Sequence, residues 1–259
     1  MRSSNSHVIL IGAGELDRSQ AMTIQQEKQK GAYVIALDGG LMFCSNYGIE
    51  PDMIVGDFDS LEQKLSEEIK IVKGKQEICG ASDWKAQELL SKYSSDIIYR
   101  LPCEKDDTDT LAAIKMAVEK GFKSFSIYGG LGGRLSHTVA NIQSLLYLKE
   151  QGLHGELIGD GSKVFLIKDE SIVLQPMLIK DEDICLQVFT EEVQEQKNDY
   201  ISIFSYTEKA QGVTLKNLKY EITDAELSSS FPIGVSNEFI GKAAEISVKD
   251  GVLLIIVER

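Results

Sequence analysis

Basic charge is what this chain has too little of. Its 27 lysines and arginines face 40 aspartates and glutamates, giving a formal net charge of −13 and a sequence pI near 4.8. That deficit excludes a broad face for nucleic acid or for an anionic membrane, since both need clustered cations. It leaves a phosphorylated small substrate open, because a divalent cation can mediate between acids and phosphates. The four cysteines, Cys44, Cys79, Cys103 and Cys185, form no CxxC pair, and each sits beside apolar residues. A zinc site or a disulfide framework is therefore set aside, and reduced thiols in or near a core are expected. No apolar run approaches the roughly 20 residues that cross a bilayer. The opening segment MRSSNSHVILIGAGEL lacks the apolar core of a signal peptide, so a cytoplasmic, reducing compartment is expected. Internal repeats and low-complexity tracts are lacking as well.

What is present is enough for one large domain or two ordinary ones: 259 residues, 43% of them hydrophobic. The first half alternates short apolar runs with helical patterns. Strands are expected at 7–12, 33–40, 52–60, 96–101 and 124–130, and helices at 17–30, 60–70, 82–93, 110–121 and 134–150. In the last helix Leu135, Val139, Ile142 and Leu146 share one face. The lone Trp84 is read as a core residue. This rhythm predicts a mostly parallel sheet covered on both sides. After about residue 153 it changes to closely spaced strand-like runs at 155–159, 163–167, 171–174, 184–188, 200–205, 211–215, 218–222 and 243–257. The segment 190–199 reads as a polar loop, and VKDGVLLI as a hairpin with a tight Asp-Gly turn. The expected fold is an α/β N-terminal domain, residues 1–153, followed by an all-β sandwich domain, residues 154–259.

Acids collect where the expected strands end. Asp38 closes the second strand, Asp57 and Asp59 close the third, and Asp106, Asp107 and Asp109 follow the fourth. Each has a bland explanation. Asp107 or Asp109 could cap the helix that begins near 110, and Asp38 could be a turn acid before Gly39 and Gly40. Ligands of open parallel sheets bind outside the carboxyl ends of the strands, however. Three clusters at equivalent positions favour a site, and that density of carboxylate oxygens suits Mg²⁺. Two glycine-rich turns, IGAGEL (11–16) and YGGLGGR (128–134), offer backbone amides to phosphate, and Arg134 adds a guanidinium before a helix.

Four segments in order, ALDGG (36–40), PDMIVGDFDS (51–60), EKDDTDT (104–110) and GGRLSHTVANI (132–142), resemble the thiamine pyrophosphokinase family. GVTLKNLKYEI (212–222) and GVSNEF (234–239) extend the resemblance into the second half. It implies a Rossmann-like three-layer nucleotide domain and a β-sandwich that binds thiamine and dimerises. It implies a homodimer with active sites between subunits, and transfer of pyrophosphate from ATP to the thiamine hydroxyl with Mg²⁺. Asp38, Asp57, Asp59, Asp106 and Asp109 would be the catalytic acids, with Asp57, Asp59 and Asp109 on the metal. Gly39, Gly40, Thr108, Gly133, Arg134, Ser136, His137 and Asn141 would contact the nucleotide. Tyr220, Ser236 and Asn237 would contact thiamine, Tyr220 through its ring face. Ser136 departs from the pattern, since family members often carry Asp there. Two other readings compete: a pyrophosphokinase acting on a pterin-type alcohol, and a non-catalytic thiamine- or nucleotide-binding homologue.

Overall fold

The computed structural model describes residues 6–58, 81–102, 106–159, 161–175 and 199–258. The helix expected at 60–70, the strand at 184–188, most of the 190–199 loop, Asp59 and three of the cysteines lie outside the described residues. The chain divides into two compact units, Met1–Asp160 and Gly161–Arg259.

In the first unit the strands are β1 (His7–Ile11), β2 (Tyr33–Leu37), β3 (Met53–Gly56), β4 (Ile98–Arg100), β5 (Ser124–Tyr128) and β6 (His154–Ile158). They pair in parallel in the order β6-β5-β1-β2-β3-β4. In β1, β2 and β5 every residue but the first is buried, as a sheet covered on both faces requires. One face packs Ile9, Ile11, Val34, Ala36 and Ile54 against α1 (Arg18–Gln29), α2 (Gly40–Tyr47) and α3 (Ala81–Leu90). The alternate residues Val8, Leu10, Ile35, Leu37 and Val55 are equally buried and point the other way. On the remaining elements, α4 (Asp109–Glu119) runs across β1, β2 and β3, and α5 (Leu135–Glu150) packs on β6.

Local chemistry sets the ends of these elements. Asp17 and Gln20 form a reciprocal capping box at the start of α1. A left-handed Gly48 ends α2, a helix that the sequence pattern does not announce. Gly40 opens α2 hard against β1, where a Cβ would lie 2.0 Å from the Ile11 carbonyl oxygen.

Four expectations need correction. The run at 155–159, expected in the second domain, forms β6, whose register on β5, Ser126 opposite Glu156, makes it part of the parallel sheet. The stripe of Leu135 and Val139 on α5 is exposed, Leu135 by 76%, while Asn141, Ser144, Leu145 and Leu148 form the buried face. The Asp-Gly turn joins no hairpin. In the second unit β7 (Ser162–Lys168), β9 (Tyr200–Ser205), β12 (Asn237–Glu238) and β14 (Val252–Glu258) run in the order β12-β9-β14-β7. The strands β8 (Ser171–Leu174), β10 (Lys209–Lys216), β11 (Ile222–Ser228) and β13 (Ala244–Ser247) form a four-stranded sheet, β11-β10-β13-β8. Asp250 and Gly251 carry the chain from β13 in one layer to β14 in the other, with Gly251 at φ 109°. Strand β11 also begins where the expected 218–222 strand ends, so residues 217–221 form a loop. Between the layers Phe165, Ile203, Leu253 and Ile255 pack against Ala210, Val213, Leu215 and Ile246.

The Gly40 contact is testable. Gly40→Ala forces backbone apart and should cost about 1–3 kcal/mol or more in unfolding free energy. A variant as stable as the parent in urea unfolding would mean that α2 does not begin against β1 in this way.

Candidate active site

The order of the first sheet fixes where a ligand can bind. From β1 the chain proceeds outward through β2, β3 and β4, then returns to β5 on the other side of β1. The crevice at such a switch point, at the carboxyl ends of the strands, is the expected ligand position. Both glycine turns singled out in the sequence meet there. The Gly12 amide donates to the Tyr128 carbonyl at 2.8 Å, and the Gly14 amide to the Gly129 carbonyl at 3.0 Å. A Cβ on Gly14 would stand 2.5 Å from the Gly129 oxygen, so bare backbone is a condition of the approach. Asn141, expected on the nucleotide, is buried instead and donates through Nδ2 to the Gly130 carbonyl at 2.8 Å. It holds the turn that would hold the ligand. Arg134 sits at the N-cap of α5 after left-handed Gly132 and Gly133, and Arg134, Ser136 and His137 are all exposed. A cation and a helix N-terminus thus stand open near that edge.

The acids are placed by strained turns. Asp38 has φ 41°, is 4% exposed, and is pinned by its amide to the Val55 carbonyl at 2.9 Å and by its carbonyl to the Leu41 amide at 3.0 Å. Aspartate tolerates the left-handed region better than most residues. Gly56 passes so close that a Cβ would lie 3.0 Å from the Asp38 Cβ. Phe58, at φ 72°, turns its ring into the core, and the Arg100 guanidinium lies 4.9 Å from the ring centroid. That anchor fixes the turn carrying Asp57. Asp109 opens α4, at the positive end of the helix dipole.

Asp38, Asp57 and Asp109 converge: one carboxylate oxygen from each lies within 4.8 Å of the other two. Ligands of one Mg²⁺ stand about 2.0–2.1 Å from the ion and so at most about 4.2 Å from one another; hard oxygen donors gathered this closely need only a small side-chain adjustment to share one such ion. Asp38, expected among the catalytic acids but not on the metal, is a full member of the group. Asp106 is exposed and outside it. Asp107 is held by Lys115, whose Nζ donates to both carboxylate oxygens at 2.8 and 2.7 Å. That bond raises the Lys115 pKa. No spacing rule in the sequence announces this pair, eight residues apart. Thr108, expected on the nucleotide, caps α4 by accepting from the Leu111 amide at 3.2 Å, the job assigned above to Asp107 or Asp109. Gly39 and Gly40 serve the start of α2.

In the second unit, GVSNEF forms a tight structural turn. The Gly234 carbonyl accepts from the Ile203 amide at 2.8 Å, and a Cβ there would stand 2.0 Å from the Ile203 oxygen. Ser236, at φ 56°, is exposed and donates its amide to Ser202 Oγ at 3.1 Å. Asn237, expected on thiamine, is 4% exposed and its carboxamide is hydrogen-bonded to the chain. Its Oδ1 accepts from the Tyr220 and Glu238 amides, each at 2.9 Å, and its Nδ2 donates to the Tyr220 carbonyl at 2.7 Å. Tyr220 is 60% exposed. The Lys219 ammonium lies 5.6 Å from its ring centroid and bonds Glu238 at 2.5 Å, a contact that raises the lysine pKa.

Residues 24–155 match the family model described as thiamin pyrophosphokinase, catalytic domain, and residues 189–253 match thiamin pyrophosphokinase, vitamin B1 binding domain. The chain belongs to the thiamine pyrophosphokinase family. A thiamine pyrophosphokinase of Bacillus subtilis (strain 168) is 29% identical over 222 residues, spanning 86% of this chain and 85% of that protein. Solved structures share the fold at low identity. The Bacillus subtilis enzyme superposes with TM-score 0.71 at 22% identity, covering 97% of this chain and 98% of its own. Thiamin pyrophosphokinase from Candida albicans gives 0.67 at 16%, covering 98% and 89%. The family's catalytic match contains all three converging aspartates, and its vitamin B1 match contains Tyr220, Ser236 and Asn237.

Three gathered carboxylates repel, and the consequence is measurable. Asp57→Asn removes one charge from the group. In EDTA the variant should melt at or above the parent's temperature. Mg²⁺ should raise the melting temperature of the parent and raise that of the variant less. A variant less stable than the parent in EDTA, with an undiminished response to Mg²⁺, would contradict the assignment.

Proposed function

We infer that the protein transfers the pyrophosphoryl group of ATP to the primary hydroxyl of thiamine, giving thiamine diphosphate and AMP. The observation that carries this reading is the convergence of Asp38, Asp57 and Asp109 on the sheet edge that also holds the paired glycine turns. The thiamine hydroxyl oxygen forms a bond to the β-phosphorus of ATP. The bond from that phosphorus to the oxygen bridging to the α-phosphorus breaks, and its electron pair leaves on AMP. The hydroxyl proton passes to a carboxylate of this edge. Reactions of this kind depend on positioning and on neutralising charge at the transferring and leaving oxygens. The amides of the glycine turns and the Arg134 guanidinium would bind phosphate oxygens. Asp38, Asp57 and Asp109 would hold Mg²⁺, which supplies the charge that lets a triphosphate rest among acids. Tyr220 would give thiamine an aromatic platform and Ser236 a hydroxyl.

The vitamin B1 binding match over 189–253 speaks against a pterin-type acceptor. Ser136 is exposed at the start of α5 and is no member of the aspartate group. Its departure from the family pattern therefore leaves the group intact, which supports an enzyme over a passive binder. The reading takes in a homodimer and a reducing compartment, in keeping with the buried Cys44, whose thiol pKa burial pushes up to about 12.

Purified protein incubated with thiamine, ATP and Mg²⁺ should form thiamine diphosphate and AMP in equal amounts, and EDTA should stop both. AMP without thiamine diphosphate would point to another acceptor or to hydrolysis. Arg134→Ala should raise the KM for ATP about tenfold or more, the scale of one lost charge-assisted contact of about 1.5–3 kcal/mol. An unchanged KM would remove Arg134 from the phosphate site.

A further inference from the structure

Asn237 and Tyr220 are 17 residues apart in sequence, yet the amide of one closes a ring with the main chain of the other. Oδ1 takes the Tyr220 N–H and Nδ2 gives to the Tyr220 C=O. A primary carboxamide is the side chain that presents an acceptor and a donor side by side, as a peptide does. The same Oδ1 also takes the Glu238 N–H. The Lys219 amide donates to the Glu238 carbonyl at 3.0 Å, and Leu218 bridges Phe239, so both sides of Tyr220 are stitched to the 237–239 segment. Asn237 is buried at 4% exposure, so the carboxamide's side of these three part-buried hydrogen bonds is withdrawn from water. The tyrosine ring itself remains mostly exposed. Its loop, residues 217–221, starts at left-handed Asn217, whose Nδ2 donates to the Ala243 carbonyl at 3.0 Å. An aromatic side chain is thus carried outward on a backbone that has been made rigid from below.

We propose that Asn237 is a positioning residue for substrate binding: it holds the Tyr220 backbone so that the ring forms a preset platform for thiamine, and makes no contact with thiamine itself. The proposal rests on the reading of Tyr220 as that platform. A preset ring spares the binding step the ordering of a loop. Removal of the carboxamide leaves the ring present but its loop free to move, and leaves two N–H groups and one C=O without their partner. The cost should appear in thiamine binding, not in the handling of ATP.

The test is a double-substitution cycle in the full-length protein, with Asn237→Ala, Tyr220→Ala and the pair. Steady-state kinetics would be measured for both substrates, and thiamine affinity by calorimetry. Asn237→Ala should raise the KM and Kd for thiamine about tenfold, equivalent to about 1.4 kcal/mol, with the KM for ATP within about twofold. Tyr220→Ala should raise the thiamine values at least as much. In the Tyr220→Ala background the second change should add less than about twofold, because there is no ring left to position. Effects that multiply would overturn the proposal and give Asn237 a substrate contact of its own. An unchanged thiamine affinity in Tyr220→Ala alone would overturn the platform reading and the proposal together. If Asn237→Ala does not fold, Asn237→Asp replaces it, keeping the acceptor for both amides and losing the donor to the Tyr220 carbonyl. The same failure to multiply is expected of it. Calorimetry reads the outcome even if thiamine diphosphate is never formed, so failure of the catalytic reading is seen separately.

Discussion

Three carboxylate oxygens held within 4.8 Å of one another repel, and the turns around them exist to keep them there. Asp38 is fixed at φ 41° by hydrogen bonds on both sides of its Cα. Left-handed non-glycine residues cost on the order of 1–3 kcal/mol and persist where the surroundings enforce them. Gly56 lets the neighbouring strand end pass against Asp38, and Phe58 drives its ring into the core to turn the chain that carries Asp57. Asp109 is placed by a helix start that Thr108 caps. None of these devices serves the acids' own stability. They make sense as the fixed half of a site whose other half is cationic.

The same logic governs the glycine side and the thiamine side. At the switch point of the sheet, glycines permit two backbones to touch, and Asn141 secures one of them from beneath. In the second unit Gly234 lies against Ile203, and Asn237 secures Tyr220. In each case the residue that would meet the ligand is exposed, and an amide side chain that was expected on the ligand is buried one layer below. Preorganisation of this kind favours transfer reactions, in which fixed geometry replaces ordering at the moment of reaction.

Much of this was legible in the residues, and for physical reasons. Continuous apolar runs alternating with helical periods specify a covered parallel sheet, and its strand ends place Asp38, Asp57 and Asp109 on one edge. What sequence reasoning missed depends on contacts between distant segments. Asn141 and Asn237 read as ligand contacts because a polar residue in a motif gives no sign of which way it faces. Apolar spacing puts Leu135 and Val139 on one face of α5 but does not say which face meets the sheet, and these two are exposed. Asp250 and Gly251 carry a strong hairpin signal, but the partners of β13 and β14 are chosen by two different layers. Asp107 is one acid among six in the sequence, and only the fold brings Lys115, from the next helix, onto its carboxylate.

One cation shared by Asp38, Asp57 and Asp109 is a geometry that diffraction can see. Anomalous diffraction from crystals grown with Mn²⁺ and a non-hydrolysable ATP analogue tests it most directly. A manganese peak is expected within bonding distance of oxygens from these carboxylates and beside the analogue's phosphates. A peak on other residues, or an ordered analogue whose triphosphate lies away from this edge, would contradict it.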